Sequence, residues 1–167
     1  TWLNAEHGPD SPPDESGSNT YQQLKAACET GVAQGWLCQR EAGGLKYGRI
    51  FKPDDSLHRF SVDVVDMTDV AGPHHVHASG EIDLVMPQDS SARFDGHPAG
   101  WLVCPPGSAH PPTVTGGRAL VLYLLRQPAT MAERRQSMAA LRHRSTWGWS
   151  VLVGVAVFIG STLLGYL

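Results

Sequence analysis

From Gly43 to Leu125 the apolar residues come in short runs, each cut off by glycine, proline or aspartate. "KYGRIFK", "FSVDVVDM", "GPHHVH", "EIDLVMP", "GWLVCPP", "HPPTV" and "RALVLYLL" are rich in β-branched and aromatic residues. Runs of this kind at spacings of roughly 8–12 residues predict strands of a sandwich, barrel or jelly roll. No helical period interrupts them, which argues against βαβ units. Ahead of them, Leu24, Ala27, Cys28 and Val32 fall near helical spacing. With Asn19 or Thr20 as N-cap and Gly35 near the stop, one amphipathic helix is expected at about 20 to 34. Residues 1–19, rich in Pro, Asp, Ser and Gly, read as an irregular, exposed lead-in.

Beyond the strands the pattern changes twice. "QPATMAERRQSMAALRHRS" returns to helical composition, with Met131, Met138 and Leu141 as its apolar residues. From Ser145 to Leu167 there is no charged side chain. As a helix that stretch would reach roughly 34 Å, enough to cross a hydrocarbon core. The expected organisation is a lead-in at 1–19, a β domain with its helix at 20–127, a basic helical linker at 128–145 and a transmembrane helix at 146–167. Arg134, Arg135, Arg142 and Arg144 precede the span and no charge follows it. The positive-inside rule then puts the folded domain on the cytoplasmic side of the inner membrane, with a single pass and the C-terminus on the far side. Trp147, Trp149 and Tyr166 suit interfacial anchors. Ser150, Gly154, Ser161 and Gly165 form a small-residue stripe that would let other membrane helices of a larger complex approach.

Composition narrows the classes further. A chain of 167 residues has room for one domain and an appendage. Its net charge of −3 offers no basic field for nucleic acid. Cys28, Cys38 and Cys104 are odd in number and match no CxxC spacing, so reduced thiols are expected. No secretory signal pattern opens the chain and its first residue is not methionine; a processed chain, or one lacking an N-terminal segment, is the expectation.

The densest candidate chemistry is "GPHHVHASGEIDL", residues 72–84. In a strand His75 and His77 share a face, and His74 points the other way. "ASG" makes a turn, after which Glu81 opens the next strand. In "WLVCPPGSAHPP", Pro105, Pro106 and Gly107 force a turn and His110 begins the strand after it. Three nitrogens and one oxygen from His75, His77, His110 and Glu81 suit a divalent first-row transition metal (Mn, Fe, Co, Ni, Cu or Zn). His58 and His143 read as ordinary polar residues. His97, in the "FDGHPAG" loop, reads the same way, with reach to the barrel mouth as its alternative.

"HVHASGE" followed by "PPGSAH" resembles the two cupin motifs, HxH(x)3–4E and PxG(x)2H, on a small double-stranded β-helix barrel. The resemblance implies that His75, His77, Glu81 and His110 bind the metal. The asparagine often found four residues after the last histidine is Val114 here. More narrowly, "REAGGLKYGRI", "FSVDVVDMTDVAGPHHVHASGEIDLVMP", "ARFDGHPAGW" and "GSAHPPTVTGGRALVLYLL" resemble the small cupin-type para-hydroxylaminobenzoate lyases. The match runs from about residue 35 to 125, and the uncharged tail is not part of that pattern. This resemblance implies conversion of 4-hydroxylaminobenzoate, a small aromatic acid, to 3,4-dihydroxybenzoate and ammonia. Glu81 would then be a metal ligand or an unligated general acid or base. Arg49 or Arg40 would hold the substrate carboxylate, and Tyr47 and Tyr123 would touch its ring or simply fill the barrel. The tail suggests two competing roles, a non-catalytic accessory subunit of a membrane complex and a tethered small-molecule sensor.

Overall fold

The computed structural model describes residues 1–126. They form two helices, α1 (Trp2–His7) and α2 (Thr20–Ala33), and ten strands: β1 (Arg40–Ala42), β2 (Leu45–Phe51), β3 (Phe60–Thr68), β4 (His75–Val76), β5 (Glu81–Pro87), β6 (Arg93–Phe94), β7 (Gly100–Cys104), β8 (Ala109–His110), β9 (Val114–Thr115) and β10 (Arg118–Arg126). Six of the strands make one antiparallel sheet in the order β1-β2-β3-β10-β5-β7. Two short ladders, β4–β8 and β6–β9, stand apart from it. The result is an all-β core of antiparallel strands preceded by the two helices.

The period of two along the strands sorts the sheet into two faces. Val62 and Val64 of β3, Leu120, Leu122 and Leu124 of β10, and Ile82, Leu84 and Met86 of β5 pack in one cluster with Tyr21, Leu24, Ala27 and Cys28 of α2. Each such side chain, fully withdrawn from water, contributes about 1.5–3 kcal/mol. The residues between them face the other way. Met67, Val85, Ala119, Val121 and Tyr123 meet Ala92, Phe94 and Val114 from the short-ladder side. The second face is therefore the barrel interior, and its central row across the sheet runs Arg49, Asp63, Tyr123, Asp83, Leu102. Three charged residues in that row, Arg49, Asp63 and Asp83, mark where the interior stops being core and becomes site.

The helix expected at 20 to 34 forms at Thr20–Ala33, with Asn19 as its cap. The Asn19 side chain accepts from the Gln22 N–H while the Gln22 side chain accepts from the Asn19 N–H, a closed capping box. The lead-in departs from expectation. Residues 2–7 are helical, Leu3 and Ser11 are buried, and Asn4 clasps the edge strand β7. Asn4 Nδ2 donates to the Trp101 carbonyl at 2.9 Å and its Oδ1 accepts the Trp101 N–H at 2.6 Å. Those are the two bonds a neighbouring strand would make. Trp101 Nε1 in turn donates to the His7 carbonyl at 2.8 Å. The edge of the sheet is thus closed by the segment that composition alone marks as loose. "HPPTV" also differs, splitting into β8 and β9 around its prolines.

The linker at 128–145 and the transmembrane helix at 146–167 lie outside the described residues. Among the described residues no helix is long and apolar enough to cross a membrane.

Candidate metal centre and the cavity beside it

β4 and β8 pair antiparallel with His75 directly opposite His110, so two of the four expected ligands are cross-strand neighbours. His77 is held two residues further on. Its N–H donates to the Ser108 carbonyl at 2.9 Å, and its own carbonyl accepts the Gly107 N–H at 2.8 Å. Gly107, with φ of 82°, and Gly80, with φ of 80°, supply the left-handed turns that bring "PPGSAH" under "HVH" and return the chain into β5. Glu81 then enters at the first position of β5, facing inward.

The three imidazole rings stand 4.7, 5.1 and 4.8 Å apart between centroids. One ligand atom from each of His75, His77, Glu81 and His110 lies within 4.8 Å of all the others. His77 and Glu81 are almost wholly buried, at 4% and 2% exposure. His77 Nδ1 and Glu81 Oε1 are 3.3 Å apart. Neither makes a hydrogen bond, and His77 Nε2 and His110 Nε2 are likewise buried without a partner. Each such orphaned polar atom costs about 1–3 kcal/mol. Several of them converging on one point is the pattern that a bound cation resolves. The donor set of three imidazoles and one carboxylate therefore fits a divalent first-row ion, as the spacing predicts.

Burial sets the charge state of this cluster. It pushes the His77 imidazole down to about 4, with His75 and His110 adding to the effect. It pushes Glu81 up to about 7, opposed by a hydrogen bond from Asp83. Asp83, with no exposed surface, is raised well above the usual carboxylate range by burial and then by Glu81 beside it. The pair favours holding a proton until a cation arrives. The Cys104 thiol, 3.7 Å from Asp83, is pushed up to about 12 by the same burial and acids. Cys28, Cys38 and Cys104 are all free thiols.

Beside the cluster opens a cavity of about 260 Å³. Leu45, Tyr47, Val65, Met67, Pro112, Tyr123 and Leu125 give it apolar walls, and His75, Glu81 and Asp63 are its polar groups. Both tyrosines considered for ring contact thus line it. Arg49 meets the cavity through Asp63, its Nε donating to Asp63 Oδ1 at 2.7 Å. Ser61 Oγ donates to the other Asp63 oxygen at 2.8 Å. Arg40 is exposed on the edge strand β1, away from the cavity lining. His74 and His58 are exposed. His97 is exposed too, its backbone closing a hairpin with Phe94, and it is not among the residues lining the cavity.

Three acids around the cluster escaped the sequence reading. Asp83 carried a signal, because it shares a strand face with Glu81 two residues earlier. Asp63 carried the same alternation in "FSVDVVDM". Asp95, whose Oδ2 bonds His110 Nδ1, is 15 residues away in the chain and carried none.

Comparison with known proteins places the chain among relatives. The family model "PnbB: 4-hydroxylaminobenzoate lyase" matches residues 1–130. The 4-hydroxylaminobenzoate lyase of Nocardioides sp. (strain LMS-CY) is 32% identical over 133 residues, covering 74% of this chain and 75% of the relative. That of Pseudomonas putida is 32% identical over 141 residues, covering 74% and 76%. Among solved structures, an RmlC-like cupin from Shewanella frigidimarina is 18% identical with a TM-score of 0.40, covering 54% of this chain and 83% of that one. A cupin 2 barrel protein from Salinispora arenicola is 19% identical with a TM-score of 0.36, covering 62% and 89%. With most of its length matched by the family model and by two relatives of that description, the chain belongs to the 4-hydroxylaminobenzoate lyase family.

Proposed function

We propose that this protein converts 4-hydroxylaminobenzoate to 3,4-dihydroxybenzoate and ammonia in the cavity beside its His/Glu cluster. The observation that carries the reading is the convergence of His75, His77, Glu81 and His110, several of their polar atoms unpartnered, at the end of an apolar cavity of about 260 Å³. That space suits one benzene ring with short polar substituents at its two ends. The reaction is balanced without an external redox partner. The N–O bond breaks with its electron pair leaving on oxygen, which departs as water. One water adds to the ring carbon next to C4, and a second adds at C4. The C4–N bond then breaks and nitrogen leaves as ammonia.

A divalent ion held by His75, His77, Glu81 and His110 would supply a Lewis acid for the leaving oxygen and lower the pKa of a bound water. The remaining tasks fall to the chain. Glu81 lines both the cluster and the cavity, so it would serve either as a ligand of the ion or, left unligated with its proton, as general acid for the hydroxylamino oxygen. Tyr47 and Tyr123 flank the ring, against the apolar walls of the cavity. Arg49 swings from Asp63 to the substrate carboxylate; its Nη groups take no partner among the described residues. The uncharged stretch at 145–167 adds a location, attachment to the cytoplasmic membrane with the barrel on the cytoplasmic side.

His77→Ala and His110→Ala test the assignment. Both variants, folded by circular dichroism, should lose turnover of 4-hydroxylaminobenzoate. Wild-type turnover in either would move the chemistry out of this cluster.

A further inference from the structure

Asp95 sits at the first position of a two-residue hairpin turn in "FDGH". Phe94 and His97 exchange both backbone bonds, at 3.0 and 2.8 Å, and Asp95 and Gly96 have φ of 48° and 79°. Two consecutive positive φ values are what a type I′ turn requires, and Asp-Gly is a favoured pair for it. The turn is then locked to the strand that follows His110. Asp95 N–H donates to the Thr113 carbonyl at 2.8 Å, and Asp95 Oδ1 accepts the Thr113 N–H at 2.8 Å. Only the stiff Pro111-Pro112 pair separates Thr113 from His110. With one carboxylate oxygen committed to Thr113, the other, Oδ2, falls on His110 Nδ1. Phe94 closes the remaining side, its ring edge-on to His110 at 6.1 Å.

We propose that Asp95 is a positioning residue: it fixes His110 in the Nδ1–H tautomer and turns the unprotonated Nε2 toward the metal position. The carboxylate accepts, so Nδ1 supplies the hydrogen, and Nε2 is the His110 atom left buried without a partner. His75 has a weaker version of the same support, its Nδ1 lying 3.1 Å from the Pro73 carbonyl. His77 has none. His110 is thus the histidine of the three whose outer partner is a carboxylate, the arrangement that orients a ligand ring and raises its basicity. The consequence for ion affinity rests on the metal reading above; the hold on His110 does not.

Two measurements test it. In the metal-free, ¹⁵N-labelled chain, long-range proton–nitrogen correlation should show a protonated Nδ1 and an unprotonated Nε2 for neutral His110. Asp95→Asn keeps the turn and one acceptor, and should lose that single-tautomer signature. In a chelator competition with Zn(II), the same variant should bind about 10- to 100-fold more weakly than the wild type. A proton found on His110 Nε2 in the wild type, or Zn(II) affinity unchanged in Asp95→Asn, would overturn the inference. A wild-type chain that binds no Zn(II) would count against the metal reading, while the tautomer would still decide the role of Asp95.

Discussion

Replacing Arg49 by glutamine separates recognition of the substrate from stability of the fold. The Arg49 side chain is 48% exposed where it pairs with Asp63. An ion pair that open to water contributes about 0–1 kcal/mol, and Ser61 still bonds Asp63 after the arginine is gone. The variant should therefore melt within a few degrees of the wild type. A substrate carboxylate on the same guanidinium is a different matter, because a hydrogen bond to a charged group contributes about 1.5–3 kcal/mol. At 1.4 kcal/mol per factor of ten, that is a loss of about 10- to 150-fold in kcat/KM for 4-hydroxylaminobenzoate. Phenylhydroxylamine, which lacks the carboxylate, should be turned over poorly by both proteins and to the same extent. The assay is steady-state kinetics on the two substrates with both proteins. An equal fall on both would mean that Arg49 acts through the cavity wall. No fall on either would mean that another group receives the carboxylate.

Further outcomes follow from the same structure. In metal-free protein, Glu81 and Asp83 hold protons above their unfolded pKa values, so their stabilising effect is full at low pH; that of Glu81 is lost as pH rises through about 7, and that of Asp83 as pH rises above the usual carboxylate range. His77, pushed down to about 4, acts oppositely, losing stability as pH falls from about 6.5. Two acids against one imidazole make the chelated protein less stable at pH 7 than at pH 5 in urea titrations, and Glu81→Gln/Asp83→Asn should reverse that slope. Asn4→Ala strips the strand-like bonds from Trp101 and should cost about 1–3 kcal/mol by denaturant melts, where an exposed lead-in would show no change. If the 145–167 stretch spans a bilayer, the full chain should remain in the membrane fraction after alkaline carbonate washing, and removal of that stretch should release it.

His75, His77 and Glu81 were legible because their geometry is local: a two-residue strand period sets His75 beside His77, and a glycine-marked turn delivers Glu81 a few residues later. His110, across the β4–β8 ladder from His75, was legible only through the second motif, "PPGSAH". The helix was legible for the same reason, as Asn19 and Gln22 make their capping box across one turn. What escaped depends on contacts distant in the chain. Asn4 meets Trp101 across 97 residues, so a stretch rich in Pro and Ser gave no sign of closing a sheet edge. Asp95 reaches His110 only after β6 and β9 have paired. β1 is short and exposed throughout, with no apolar alternation to reveal it. Asp83 is the exception, readable from its parity with Glu81 yet easily taken for an outward-facing acid in a strand.

The most direct test is the product stoichiometry of the purified protein on 4-hydroxylaminobenzoate, held without oxygen and without any added oxidant or reductant. The proposed reaction predicts that 3,4-dihydroxybenzoate and ammonia appear in equal amounts as the substrate disappears. Substrate that persists, or that is consumed without release of ammonia, would contradict the account.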